Sequence, residues 1–164
     1  MQAGFDVTGY EISKPRAEYA RNNLSLNVLD SETQLSKYST EGIKFDFFYA
    51  SHVLEHIPNI RYTIELAISL LKPGGYFVVF TPNGSDVFRK KQPKVWHNNW
   101  GFNHQIFLDD IFYTTYFKNY PYFLSSESCD FRIITEFHRN EDRKIVLSLD
   151  GPELLFLAKN HIST

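Results

Sequence analysis

Apolar and polar positions change period several times along the chain, and each change predicts an element. Residues 5–10, Phe-Asp-Val-Thr-Gly-Tyr, alternate apolar and polar as a half-buried strand does. Glu11 follows, and Ser13-Lys14-Pro15 reads as a cap residue with a first-turn proline opening a helix. Ala17, Ala20 and Leu24 share one face of that helix, Asn22 and Asn23 lie near its end, and a short strand over 26–29 comes next. Residues 45–50, Phe-Asp-Phe-Phe-Tyr-Ala, form a dense apolar run, the pattern of a strand buried on both faces of a parallel sheet, with a loop at Ser51-His52. After Pro58, Ile60, Ile64, Ala67, Ile68 and Leu71 recur at helical spacing until Lys72-Pro73-Gly74-Gly75 stops the helix. Residues 76–81 give another buried strand. Strands alternating with helices specify an α/β layered domain with a parallel sheet.

The second half reads differently. Residues 82–107 carry Asn83, Gly84, Pro93, Asn98, Asn99, Gly101 and Asn103 around Trp96, Trp100 and Phe102. This is too broken for a core element and too aromatic for a passive linker, so a structured loop over a site is predicted. Asp109 caps a helix running to about Phe117, and residues 131–138 and 154–158 read as two closing, antiparallel strands. No internal repeat interrupts the single domain that 164 residues allow.

Composition narrows the chemistry. With 43% hydrophobic and 16% aromatic residues the chain can bury a sizeable core. Lys plus Arg is 17 against 19 for Asp plus Glu, a net charge of −2, so no bulk positive field favours nucleic acid. The single cysteine, Cys129, excludes an internal disulfide and a cysteine-built zinc site and suits a reducing compartment. No apolar run approaches membrane-spanning length, and the first residues lack a signal-peptide layout. The expectation is a cytoplasmic protein without a membrane partner.

Three segments in order carry a resemblance. They are Val7-Thr8-Gly9-Tyr10-Glu11-Ile12-Ser13, then residues 45–58 through Ser51-His52-Val53-Leu54-Glu55-His56-Ile57-Pro58, then residues 70–83 through Lys72-Pro73-Gly74-Gly75 to Thr81-Pro82-Asn83. Together they resemble the S-adenosylmethionine-dependent class I methyltransferases of the small-molecule branch. The resemblance implies a Rossmann-like, three-layer α/β fold with a mostly parallel sheet and antiparallel closing strands. It implies S-adenosylmethionine as cofactor, with Glu11 holding the ribose hydroxyls, Ile12 packing on adenine beside Ser13, and Ala50, Ser51, His52 and Val53 along the methionine part. A carboxylate at a strand end suits a ribose diol; the plainer reading of Glu11 is a solvated helix-entry acid. The acceptor implied is a small molecule or a glycan precursor.

The chain departs from this family at its start. A glycine-rich turn belongs ~20 residues before the ribose acid, which falls ahead of residue 1. The eight glycines, at 4, 9, 42, 74, 75, 84, 101 and 151, form no G-x-G pair. The family's first strand and helix are also absent from the pattern. The expectation is that the chain begins inside the fold, exposes two sheet edges, self-associates or borrows a strand from another copy, and binds the cofactor poorly or not at all. The competing reading is a non-catalytic binding or scaffolding relic.

Histidine and acidic residues supply the remaining candidates. His52-Val53-Leu54-Glu55-His56 matches the H-x-x-E-H pattern of zinc peptidases, but a strand before it and Pro58 after it leave no continuous helix to carry that motif. Some methyltransferases of this shape hold a divalent cation with E-x-x-E-H here, and this chain has His52 in place of the first carboxylate. No metal is assigned; a site of His52, Glu55, His56 and His104 with N/O donors is the alternative. His56 and His104 are the candidates for the catalytic base that takes the acceptor's proton, against a reading in which Glu55 and His56 only orient the loop. Arg89, Lys90, Lys91 and Lys94 offer a phosphate clamp or an ordinary solvated face. His138 and His161 have no supporting context.

Overall fold

The computed structural model describes residues 4–99, 104, 106–126, 131–139 and 143–161. The chain forms two compact units, residues 1–44 and 45–164.

In the first unit, β1 (Thr8–Tyr10) lies parallel to β2 (Asn27–Leu29), joined by α1 (Lys14–Leu24) and followed by α2 (Glu32–Thr40). Pro15 sits in the first turn of α1 as expected, but Ser13 makes no side-chain cap; its backbone N–H instead donates to Glu11 Oε1 at 2.8 Å. Of the three residues read as sharing one face of α1, only Ala17 is buried, and Leu24 is exposed. Arg21 fastens α1 to β2, donating to the Val28 carbonyl and pairing with Asp30 at 2.8 Å. Sequence reading left α2 out. Its start nevertheless carries a signal, because Ser31 Oγ accepts from Gln34 N while the Gln34 side chain accepts from Asp30 N. That arrangement is close to a capping box.

The second unit is a mixed five-stranded sheet. In chain order its elements are β3 (Phe45–Ser51), a 3-10 turn (Leu54–His56), α3 (Ile60–Ser69), β4 (Leu71–Pro82), α4 (Asp86–Lys91), α5 (Pro93–Asn99), α6 (Asp110–Tyr116), β5 (Tyr122–Ser125), α7 (Phe131–Arg139), β6 (Lys144–Val146) and β7 (Glu153–Lys159). The strands lie in the order β3-β4-β7-β5-β6; β3 is parallel to β4, while β7 runs antiparallel to both β4 and β5. Side-chain alternation divides this sheet between two cores. Phe77 and Val79 of β4, Leu154, Phe156 and Ala158 of β7, and Leu124 of β5 pack with Ile64, Ala67, Tyr113 and Phe117 on the side of α3 and α6. Tyr76, Phe123 and Phe137 close the opposite face together with Val78, Leu155 and Leu157. Helices on both faces of a mostly parallel sheet give the predicted three layers.

Several predicted elements are corrected. Residues 131–138 form a helix, not a strand, because Ile133 and Phe137 are one helical turn apart on the packed side while Arg132, Glu136 and Arg139 are exposed. The segment 82–107 is not a plain loop; it holds α4, with Phe88 fully buried, and α5. Strand β3 is not buried on both faces: Phe48 and Ala50 turn to the core, while Phe47 and Tyr49 alternate to the other face and are 61% and 64% exposed; β3 pairs only with β4 among the described strands. The Lys72-Pro73-Gly74-Gly75 breaker lies inside β4, where Gly74 takes a left-handed φ of 78°. A Cβ on Gly75 would stand 3.0 Å from the Asp46 carbonyl and 3.2 Å from the Phe45 carbonyl, a tight contact that would require the β3 backbone to give way. The exposed-edge expectation for residues 5–10 and 45–50 meets strands that each pair with one described neighbour only.

Candidate functional site

The exit of β3 is built to present side chains. His52 N donates to Phe80 O at 2.9 Å, which holds the strand end against β4, and the next peptide turns through a left-handed φ of 51° at His52. For a residue with a Cβ that conformation costs about 1 kcal/mol. The reversal feeds directly into the 3-10 turn that carries Glu55 and His56. The peptidase arrangement, which needs one long helix under the motif, is therefore absent.

Glu55 is the centre of the site. Its side chain is 0% exposed, and neither carboxylate oxygen has a hydrogen-bond partner among the described residues. Three imidazoles surround Glu55 Oε1: His52 Nδ1 at 3.5 Å, His56 Nε2 at 3.8 Å and His104 Nε2 at 3.9 Å. The His56 and His104 rings lie 4.9 Å apart. These separations suit attraction between charges but exceed good hydrogen-bond lengths. His104 comes from beyond α5, and its Nδ1 bonds to the Asn99 carbonyl oxygen. A carbonyl only accepts, so Nδ1 carries the proton and, in the neutral ring, Nε2 turns a lone pair towards Glu55.

Two further groups belong to this network, Glu153 through His52 and Tyr113 through the field of Glu55. His52 Nε2 contacts Glu153 Oε1 at 3.1 Å, across the sheet from the first residue of β7. Tyr113 lies buried with its hydroxyl 3.0 Å from Thr81 Oγ1. Burial drives the Tyr113 hydroxyl far above the ordinary tyrosine range; the Thr81 contact opposes this and the negative charge of Glu55 adds to it. Tyr113 therefore stays a neutral phenol. No local pattern could reveal Glu153, which is 101 residues from His52 in sequence.

The structure thus brings His52, His56 and His104 around Glu55, and it places Ala50, Ser51 and Val53 on the same strand exit, Ala50 buried in the core and Val53 partly exposed. In the first unit, Glu11, Ile12 and Ser13 follow the end of β1, and Ile12 is 75% exposed. Glu11 spends one lone pair on the Ser13 amide. A carboxylate offers about four such sites, so it retains the capacity to take a diol.

Other candidates have different roles. Arg89 and Lys90 pair with Asp86, and Lys91 with Asp150, so three of the four clamp cations are held by carboxylates. Trp96 stacks on Phe107 at 5.1 Å with Arg89 over its ring. Trp100 and Phe102 lie outside the described residues, as does Cys129. His138 Nδ1 bonds to the Tyr76 hydroxyl at 2.6 Å, and His161 stands against Tyr120. An open groove of about 820 Å³ lies between α3 and α6, lined by residues such as Arg61, Ile68, Ile111 and Tyr116; none of its lining residues belongs to the histidine cluster. No described helix is long and apolar enough to cross a membrane.

Comparison with known proteins supplies the family. A hybrid PKS-NRPS synthetase of Emericella nidulans, apdA, is 32% identical over 80 residues, which are 49% of this chain and 2% of that protein. A ubiquinone biosynthesis O-methyltransferase of Bartonella tribocorum is 31% identical over 80 residues, 49% of this chain and 32% of that enzyme. The chain thus matches no more than about a third of these curated relatives. The plantazolicin methyltransferase BamL, solved with a triazolic desmethylPZN analog and SAH, superposes with a TM-score of 0.65 at 11% identity, covering 96% of this chain and 69% of that one. The fold is therefore the Rossmann-like methyltransferase fold. The profile of the methyltransferase domain matches residues 1–139, most of the chain, and the chain belongs to that family.

Proposed function

We propose that this domain serves S-adenosylmethionine-dependent methyl transfer to a small-molecule or glycan-precursor acceptor. The observation that carries the reading is the strand exit at His52. A strained turn at the carboxyl end of a parallel strand, where open α/β sheets take their ligands, leads straight to a buried acid ringed by imidazoles.

The residues divide the work. Glu11 is proposed to hold the ribose hydroxyls, with Ile12 against the adenine and Ser13 beside it; Ala50, Ser51, His52 and Val53 are proposed to follow the methionine part. Bound there, the cofactor supplies an electrophilic methyl group on a sulfonium. The acceptor's nucleophilic atom forms the new bond to carbon as the carbon–sulfur bond breaks, and its proton must leave. His56 and His104 are the groups proposed to receive that proton, and the negative Glu55 stabilises an imidazolium beside it. Holding two reactants in line is worth ~7 to 11 kcal/mol of barrier, so positioning is the larger share. The near-balanced net charge supports a small acceptor over a nucleic acid.

Calorimetric titration with S-adenosylmethionine tests the reading. Glu11→Ala should weaken binding by ~1.5 to 3 kcal/mol, the usual worth of hydrogen bonds to a charged group. An unchanged affinity removes Glu11 from the ribose, and absence of binding to the parent chain favours a non-catalytic role.

A further inference from the structure

We infer that the groove between α3 and α6 is a twofold interface on which a second copy of this chain docks. The groove, about 820 Å³ in volume, is lined by Ile68 of α3 and by Ile111, Phe112 and Tyr116 of α6, with Arg61 and Glu65 on the α3 side. Phe112 and Tyr116 stack with ring centroids 5.8 Å apart, so the α6 side presents a paired aromatic surface. Ile111 lies beside it and is 67% exposed. One exposed apolar residue is ordinary. An apolar groove that carries an exposed isoleucine among its own lining residues is different, because one face then holds both the knob and the hole of a contact. A second copy of that face seats its Ile111 here while this Ile111 enters the other groove.

The charges select the occupant. Arg61 and Glu65 are both exposed and lie one turn apart on α3, about 6 Å along the axis at ~1.5 Å per residue. Among the described residues neither forms an ion pair, with the other or with a third group. A cation placed before an anion is the less favourable order along a helix, which leaves both available. Both act into the groove: burial raises the Tyr116 hydroxyl above the ordinary tyrosine range, Glu65 adds to the rise and Arg61 opposes it.

The pair is neutral in sum, so it favours neither an acidic nor a basic partner. It fits a helix carrying the same two charges in reverse order, and an antiparallel copy of α3 is that helix. A twofold axis passing between the two positions sets each Arg61 against Glu65 of the second copy, giving two ion pairs from one feature of the sequence, as a self-complementary interface requires. The net charge of −2 adds little repulsion between copies. The inference concerns the outer face of two helices and holds whatever acceptor the domain serves.

Sedimentation velocity of the full chain, from low to high micromolar concentration, is the test. The parent should reach a dimer. Arg61→Glu and Glu65→Arg should each set like charges face to face and weaken the dimer about tenfold or more. Both side chains are exposed, so both variants should keep the far-ultraviolet circular dichroism of the parent. An equal mixture of the two variants should regain a dimer, because opposite charges again meet across the axis. Ile111→Ser should also shift the parent towards monomer. A parent that stays monomeric would overturn the inference and leave the groove to a helix of another protein. A dimer that either Arg61→Glu or Ile111→Ser leaves unchanged would overturn it and move the contact to another face. A mixture that stays monomeric although each variant is folded would overturn the antiparallel pairing.

Discussion

Asn83 and Glu55 are both buried polar residues just past the ends of neighbouring strands, yet they are treated in opposite ways. Asn83, beyond β4, donates to the Leu149 and Gly151 carbonyls at 2.7 and 2.8 Å and accepts from Ser85 N at 2.9 Å. Ser85 in turn accepts from Phe88 N and reaches the Leu149 carbonyl, which anchors the start of α4. Each donor and acceptor has a partner. Glu55, beyond β3, is equally buried, but among the described residues its oxygens have no hydrogen-bond partner, and imidazole nitrogens stand 3.5 to 3.9 Å from Oε1. The first residue holds the fold together; the second is held by the fold at a cost. A polar group kept unsatisfied in a core is the kind of local inconsistency that functional sites show.

The comparison makes Asn83→Ala the most damaging of the changes considered. It leaves the Gly151 carbonyl and the Ser85 amide without their present partner, and about 2 to 4 kcal/mol should be lost. Urea unfolding monitored by circular dichroism measures this, and a loss below about 1 kcal/mol would erase the contrast with Glu55.

Glu55→Gln should act the other way in metal-free protein. Removing a buried, unbonded charge while keeping the shape should raise stability by about 1 to 2 kcal/mol. Loss of stability of that size would show that the surrounding histidines satisfy the carboxylate in the resting state, and Glu55 would then belong with Asn83.

The smallest effect concerns the turn that aims the cluster. His52→Gly and His52→Ala both remove the contact to Glu153, so the difference between them isolates the left-handed backbone. The glycine variant should be the more stable by about 1 kcal/mol. Equal stabilities would show that the turn relaxes once the imidazole is gone.

How much of this was legible in the sequence follows from the range of each interaction. Local signals identified α1 from Pro15, α3 from its apolar spacing, and α6 from Asp109, whose carboxylate accepts from Phe112 N at 2.6 Å. They also placed β3 and β7 close to their observed limits, whereas β4 starts at Leu71, ahead of the breaker from which the reading began it. The short strands β5 and β6 were passed over because four and three residues carry too little pattern. Residues 131–138 were misread because aromatic and β-branched residues raised a strand expectation that helical spacing overrode. His52, Glu55, His56 and His104 were grouped from sequence as one candidate set; what their spacing could not say is that one oxygen of Glu55 would stand within 3.9 Å of all three imidazoles.

The sequence by itself determined the alternation of strands and helices, the breakers between them and the kinds of side chain available at the exit of β3. Those properties follow from backbone preference and hydrophobic period, which act over a few residues. Tertiary structure alone decided that Glu153 arrives beside His52, and that His104 and His56 converge on a fully buried carboxylate. Each of these depends on which distant segments pack together. Burial and electrostatic cost are set by everything that surrounds a group, so the charge of Glu55 could be read early, while the unmet demand that makes it a site emerged only once the core had closed around it.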